Sequence, residues 1–180
     1  MSGLLWKLNR LRTMDPAEIV YRVEQLVHGK LQKAGLGLAT TPPAPSGRTG
    51  RWLPEVSHDQ LDTSVYTQAA DEVLAGRFDV FAMRGAHLGF PPRWNQDPRT
   101  GTVAPMVFGK TLNYRDERLV GDIKYLWEPS RHLELVTLAQ AWQVTRDARY
   151  LDGVKSLLES WLDQCPYMQG VHWVSSLEHS

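Results

Sequence analysis

The chain has 180 residues, 42% of them hydrophobic and 22% charged, and its twenty Lys and Arg balance twenty Asp and Glu. That length suits one ordinary domain with its own core and a leader, while zero formal charge excludes the broad basic field on which sequence-independent nucleic-acid binding depends. The single cysteine, Cys165, excludes an intrachain disulfide and a cysteine-built zinc site.

At the amino terminus Leu4, Leu5, Leu8 and Leu11 recur at helical spacing, with Lys7, Asn9, Arg10 and Arg12 toward the other side, which predicts a short basic amphipathic helix from Leu4 to Met14. The same polar residues interrupt the apolar run before it reaches the length of a signal-peptide core or a membrane span, so the expectation is no export signal and no stable membrane insertion. Asp15 followed by Pro16 reads as an N-cap with proline at the first helical position. Ile19, Val20, Val23, Leu26, Val27 and Leu31 then hold a helical period up to Gly35. Residues 1–35 thus form an amphipathic helical leader, whose apolar side is expected to pack on protein rather than lie on a lipid surface. Residues 36–60 are rich in Gly, Pro, Ser and Thr, which sustain neither helix nor strand, and are assigned as a linker.

The body is assigned to residues 61–180. Helical spacing returns between Ser64 and Leu74, and the segment from Gly76 to Gly89 alternates apolar and polar residues between glycines, the pattern of a small hairpin. From Phe90 to Pro105 the chain is too rich in Pro and Gly for a regular element. It reads as a structured loop with a buried Trp94, or as a ligand-facing loop that also bears Asn95, Asp97 and Arg99. Pro129 starts a helix running to about Val144 with Leu135, Leu138, Ala139 and Trp142 on one stripe. Asp147 caps the next helix, which carries Leu151, Val154, Leu157, Leu158, Trp161 and Leu162. The short turn from Thr145 to Asp147 makes the two an antiparallel helical hairpin. Pro166 stops the second helix, Gly170 opens a bend, and a further helix is expected from about Ser175.

Two polar-aromatic clusters flank this hairpin. Asp122, Lys124, Trp127, Glu128, Arg131 and His132 precede it; His172, Trp173, Ser175, Ser176 and Glu178 follow. On a continuous helix Glu128, Arg131 and His132 would share one turn and reach one partner together. Arg can pair with an anion, Trp can stack on a sugar face, and Glu can accept hydroxyl hydrogen bonds, so the set suits a sugar bearing carboxylate or sulfate. The competing reading is structural: Glu128 and Arg131 bond each other and His132 packs at an interface. Glu128 and His132 could also pair as base and orienting acid, but no nucleophile or oxyanion-donor motif accompanies them. His172, Glu178 and His179 match no metal-ligand spacing. Ser175-Ser176 lies outside a nucleophile elbow, and Cys165 before Pro166 reads as a packed thiol. No metal and no cofactor is expected.

The ordered motifs Gly76-Arg-Phe78, Leu88-Gly89, Trp94, Asp97-Pro-x-x-Gly101 and Tyr114-Arg-Asp116 are followed by Gly121-Asp-Ile-Lys-Tyr-x-Trp-Glu-x-x-Arg-His132. After these come Leu138-Ala-x-Ala141, Arg149-Tyr150, Trp161, Gln164-x-Pro166 and Gly170-x-x-Trp-x-Ser-Ser-Leu-Glu178. Over residues 76–178 this series resembles the amino-terminal region of the heparinase II/III-like polysaccharide lyases. The resemblance implies an incomplete α/α toroid of antiparallel helical hairpins lining a cleft for an acidic polysaccharide. It also implies a further toroid part and a β-sandwich as partner regions of the same protein. The chemistry implied is β-elimination at a uronic acid: the carboxylate is neutralised, a Tyr or His base removes the C5 proton, and the glycosidic oxygen leaves.

By that resemblance Trp127, Glu128, Arg131, His132, His172, Trp173 and Glu178 line the cleft. The groups that take the proton and neutralise the carboxylate belong to parts beyond Ser180, so this stretch alone is expected to be inactive and no catalytic residue is assigned. Two positions depart from the family pattern: His172 and Cys165 each stand where Asn is common, which changes the hydrogen bonding offered there. The resemblance places such proteins in the periplasm or cell envelope, whereas the absence of an export signal fits the cytoplasm, and the compartment stays open. The alternatives are a non-catalytic helical-repeat scaffold or a carbohydrate-binding module. The hairpin carrying Trp142 and Tyr150 has the look of a tetratricopeptide unit, but no second copy follows at its period.

Overall fold

Aspartate sets the start of most helices. The computed structural model describes residues 13–38 and 61–175, and they are mainly helical, with one two-stranded sheet. The Asp15 carboxylate accepts from Glu18 N at 2.8 Å, Asp62 from Ser64 N at 3.0 Å, and Asp116 from Arg118 N at 3.1 Å. Asp122 accepts from Lys124 N at 3.2 Å and Asp147 from Arg149 N at 3.0 Å. Each bond satisfies an N–H that the helix itself leaves orphaned, and such a cap contributes about 1 kcal/mol.

The chain divides into two units, Met1–Arg48 and Thr49–Ser180. In the first, α1 (Pro16–Lys33) runs as the sequence leads one to expect. It ends where Gly35 takes a φ of 79°, with Gly35 N donating to Gln32 O at 3.0 Å and Leu36 N to Leu31 O at 2.8 Å. This is the paired-bond helix end that only a left-handed residue permits. No residue of α1 is buried. The helix expected at Leu4 to Met14 lies outside the described residues except for its last two positions, as does most of the linker. Among the described residues no helix is long and apolar enough to cross a membrane.

The second unit begins with α2 (Thr63–Leu74), then strands β1 (Arg77–Val80) and β2 (Met83–His87) pair antiparallel, Arg77 opposite His87 and Phe78 opposite Ala86. Gly76 enters the hairpin at φ 76°, and a Cβ there would lie 2.8 Å from the backbone carbon of Gly89, so the two ends of the hairpin close only because residue 76 is glycine. A loop leads to two single-turn helices, α3 (Glu117–Val120) and α4 (Ile123–Trp127), and a 3₁₀ turn, Pro129–Arg131. The long pair α5 (Leu133–Thr145) and α6 (Ala148–Gln164) follows, then a further 3₁₀ turn, Val171–Trp173.

The core lies where α2, α5 and α6 meet and β1 lays Phe78 and Val80 against them, with Ala70, Val73, Leu138, Ala141, Tyr150 and Leu157 buried together. Gly153 of α6 allows this approach: a Cβ at that position would stand 2.8 Å from Leu74 Cδ2 and 3.3 Å from Leu138 Cδ1. Tyr150, fully buried, sends its hydroxyl to Asp71 at 3.0 Å, so its polar end is satisfied while its ring fills the core. A smaller cluster of Ala104, Leu112, Val120, Leu126 and Val171 packs beneath α3 and α4.

Two sequence expectations are corrected. The helix expected from Pro129 to about Val144 starts at Leu133, because His132 adopts left-handed backbone, φ 57° and ψ 33°, and breaks the run. Glu128, Arg131 and His132 therefore do not share one turn of a continuous helix; they occupy a tight turn between α4 and α5. The buried stripe of α5 also differs: Leu138 and Ala141 are buried, Leu135 and Trp142 pack at its margin, and Ala139 faces outward.

Candidate functional site

The turn between α4 and α5 and the 3₁₀ turn at Val171–Trp173 lie side by side, joined by the Trp127 indole N–H, which donates to Val171 O at 3.0 Å. Trp127 also packs on Tyr114, ring centroids 5.8 Å apart. Next along the chain, Glu128 and Arg131 face each other across the turn at 3.4 Å. Their exposures differ: 20% of the Glu128 side chain and 58% of the Arg131 side chain reach solvent. The pairing anticipated as the structural reading is thus present, and the guanidinium still projects outward. At that exposure the ion pair contributes well under about 1 kcal/mol.

His132 turns inward. Its ring meets Trp94 at 5.4 Å and Trp161 at 5.3 Å, in both cases edge to face, the arrangement that the ring quadrupoles favour. Its Nδ1 is buried without a hydrogen-bond partner, and burial pushes the imidazole below its ordinary pKa because a charge there would lose its water. At neutral pH His132 is an uncharged packing group. It does not pair with Glu128.

His172 is 3% exposed and its Nε2 lies 2.9 Å from Trp94 O. The indole N–H groups around it are committed as well: Trp94 to Ser160 Oγ at 3.1 Å, Trp161 to Ser130 Oγ at 3.2 Å, and Trp173 to Cys165 O at 3.0 Å. Tyr167 completes the group, edge-on to Trp173 at 4.7 Å. Fixed polar ends leave these rings as a rigid shelf, since rotating any one of them forfeits a hydrogen bond in a partly dry environment.

Of the residues singled out in the sequence, His132, His172 and Trp173 meet Trp94 or Trp161; Trp127 joins them through Val171, and Glu128 and Arg131 sit on the adjoining turn with Arg131 the more outward. Glu178 and Ser176 lie outside the described residues, as does the helix expected beyond Ser175. Trp161 has the helical spacing of a core residue, which hides its part in joining the two clusters. Ser130 and Ser160, which anchor the indoles, give no signal at all.

Glu134, at the start of α5, is pushed up in pKa chiefly by burial, with the negative charges of Glu128 and Asp79 adding to the effect. Burial also pushes the Cys165 thiol up to about 12, against a smaller opposing contribution from Asn95, whose Nδ2 lies 3.7 Å from the sulfur. Such a thiol is not a nucleophile at neutral pH. Asp97, fully buried in the loop below α4, is opposed by burial yet held below the ordinary carboxylate range. It accepts from Asp122 N, Arg99 N and the Thr100 hydroxyl, each at 2.8 Å. Among the described residues no three His, Cys, Asp or Glu side chains converge to hold a metal.

Chemically, the arrangement offers a carboxylate and an outward guanidinium on a turn that is seated on tryptophans through His132 and Ser130. This suits binding a polar, anion-bearing ring. No family model, curated protein or solved structure matches the chain, which leaves its own residues to carry the functional reading.

Proposed function

We propose that this chain is part of a polysaccharide lyase of the heparinase II/III-like kind, and that it supplies one wall of the cleft that holds an acidic polysaccharide for β-elimination. The helices α2, α5 and α6 would then be the opening hairpins of an α/α toroid. The observation that carries the reading is the turn from Glu128 to His132, whose Arg131 side chain is 58% exposed while its His132 ring and Ser130 hydroxyl seat the turn on Trp94 and Trp161. The ordered series of motifs from Gly76 to Glu178 supports it from the sequence side.

On this reading the residues of this chain bind rather than react. Arg131 takes a uronate carboxylate or a sulfate by charge-assisted hydrogen bonds, Glu128 both orients Arg131 and accepts a sugar hydroxyl, and the indole faces lie under the ring. Removal of the C5 proton, formation of the C4–C5 double bond and departure of the glycosidic oxygen fall to other parts of the lyase. The test is to express the complete gene and supply acidic polysaccharides. Release of chains ending in an unsaturated uronate, seen by ultraviolet absorbance and mass spectrometry, is the expected result; hydrolytic products, or none from a panel of uronate polymers, would overturn the reading.

A further inference from the structure

We propose a second binding site, adjoining the turn at Glu128–His132 and sharing Pro129 and Trp94 with it, that takes a single carboxylate-bearing sugar ring in the pocket between the end of β2, the loop 88–101 and α4. The pocket measures about 190 Å³ and is lined by His87, Arg93, Trp94, Gln96, Tyr125 and Pro129, among others. It is smaller than the roughly 300 Å³ at which drug-sized ligands begin to fit, so one ring is the natural occupant.

The pocket is built rather than incidental. Its floor is apolar, closed by Trp94 and Leu126, which are almost fully buried. Its wall is Tyr125, fixed by the Arg99 guanidinium 4.7 Å from the ring centroid and by the edge of Phe81 at 5.1 Å. Arg99 is itself anchored to Asp122 at 3.0 Å. Gln96 is oriented by its Nε2 donating to Gly101 O at 3.0 Å, which leaves the amide oxygen as an acceptor for a sugar hydroxyl.

Charge selects the ligand. Among the described residues the side chains of Arg93 and His87 have no ion pair and no side-chain hydrogen bond, although other arginines nearby are paired. Asp97 also lines the pocket, but three donors already satisfy its oxygens. Two uncommitted nitrogen-bearing side chains at the rim of an aromatic pocket match a ring that carries one carboxylate. Inorganic phosphate would engage Arg93 and leave the Tyr125 side of the pocket uncovered, and glucose would fill the pocket and leave Arg93 unpaired.

The identity of the ring rests on the acidic-polysaccharide reading; the pocket itself does not. Titrating the full chain with glucuronate, glucose and inorganic phosphate, followed by NMR shifts of the tryptophan side chains, tests it. Glucuronate should bind at least about tenfold more tightly than either of the others, and Arg93→Ala should weaken it about tenfold. Absence of glucuronate binding, equal binding of glucose, or indifference to Arg93→Ala would overturn the site. Glucuronate bound normally by a protein that ignores uronate polymers would refute the lyase reading alone.

Discussion

Gly121 stands directly against Asp97: a Cβ on Gly121 would lie 2.5 Å from the Asp97 Oδ2 and 2.6 Å from its Cβ. The next residue, Asp122, donates its N–H to that same oxygen while its own carboxylate caps α4. The Asp97 loop and the start of α4 are therefore one joint, and α4 leads directly into the turn that carries Glu128 and Arg131.

Gly121→Ala should disrupt this joint. The residue sits at φ 76°, where a side chain is strained, and Asp97 cannot yield because its oxygens are held by Arg99 N and Thr100. Strain and overpacking together should cost about 2 kcal/mol or more, measured as a lower urea midpoint with unchanged slope. A variant as stable as the parent would show that the loop and α4 adjust independently.

The pH dependence of stability should carry the signature of His132. Its folded pKa lies below the ordinary value of 6.5 because of burial, so the unfolded chain binds the proton more readily than the native state. Stability is then complete above that value and falls as pH drops below it toward the folded pKa. His132→Asn, which keeps a residue tolerant of left-handed backbone, should flatten the slope of unfolding free energy below about pH 6.5. An unaltered slope would place the titrating group elsewhere.

Cys165 should be inert in the native state. It is 1% exposed and its thiol is pushed up to about 12. Alkylation at pH 8 should therefore proceed only as fast as the protein opens, and should accelerate by orders of magnitude in denaturant. Rapid labelling of the folded chain would contradict the packing of α6 against the loop at Asn95.

The elements that could be read from the sequence are those whose determinants are local. Asp15-Pro16 and Gly35 bound α1, Asp147 bounds α6, and the glycines at 76 and 89 bracket the hairpin, because a cap or a left-handed turn is decided within a few residues. The break at His132 was not legible, since any one non-glycine residue takes left-handed backbone only occasionally and this one is held there by Trp94 and Trp161, which lie far away in the chain. The single-turn helices α3 and α4 are too short to show a period. The candidate site was legible as two clusters, but their junction through Trp161, Ser130 and the Trp127 to Val171 bond depends on contacts across more than 30 positions. A pattern read along the chain does not contain such contacts.

The most direct measurement is retention of the folded chain on an immobilised uronate polymer at low salt, parent against Arg131→Ala. With 58% of its side chain exposed, Arg131 can be removed without opening the core, so circular dichroism and melting should be unchanged. The account predicts clear retention of the parent, weakened by added salt, and a loss of about 1 kcal/mol or more in the variant, roughly a fivefold drop in affinity. Equal retention of a correctly folded Arg131→Ala protein would contradict the central claim and return the Glu128–Arg131 turn to a purely structural part.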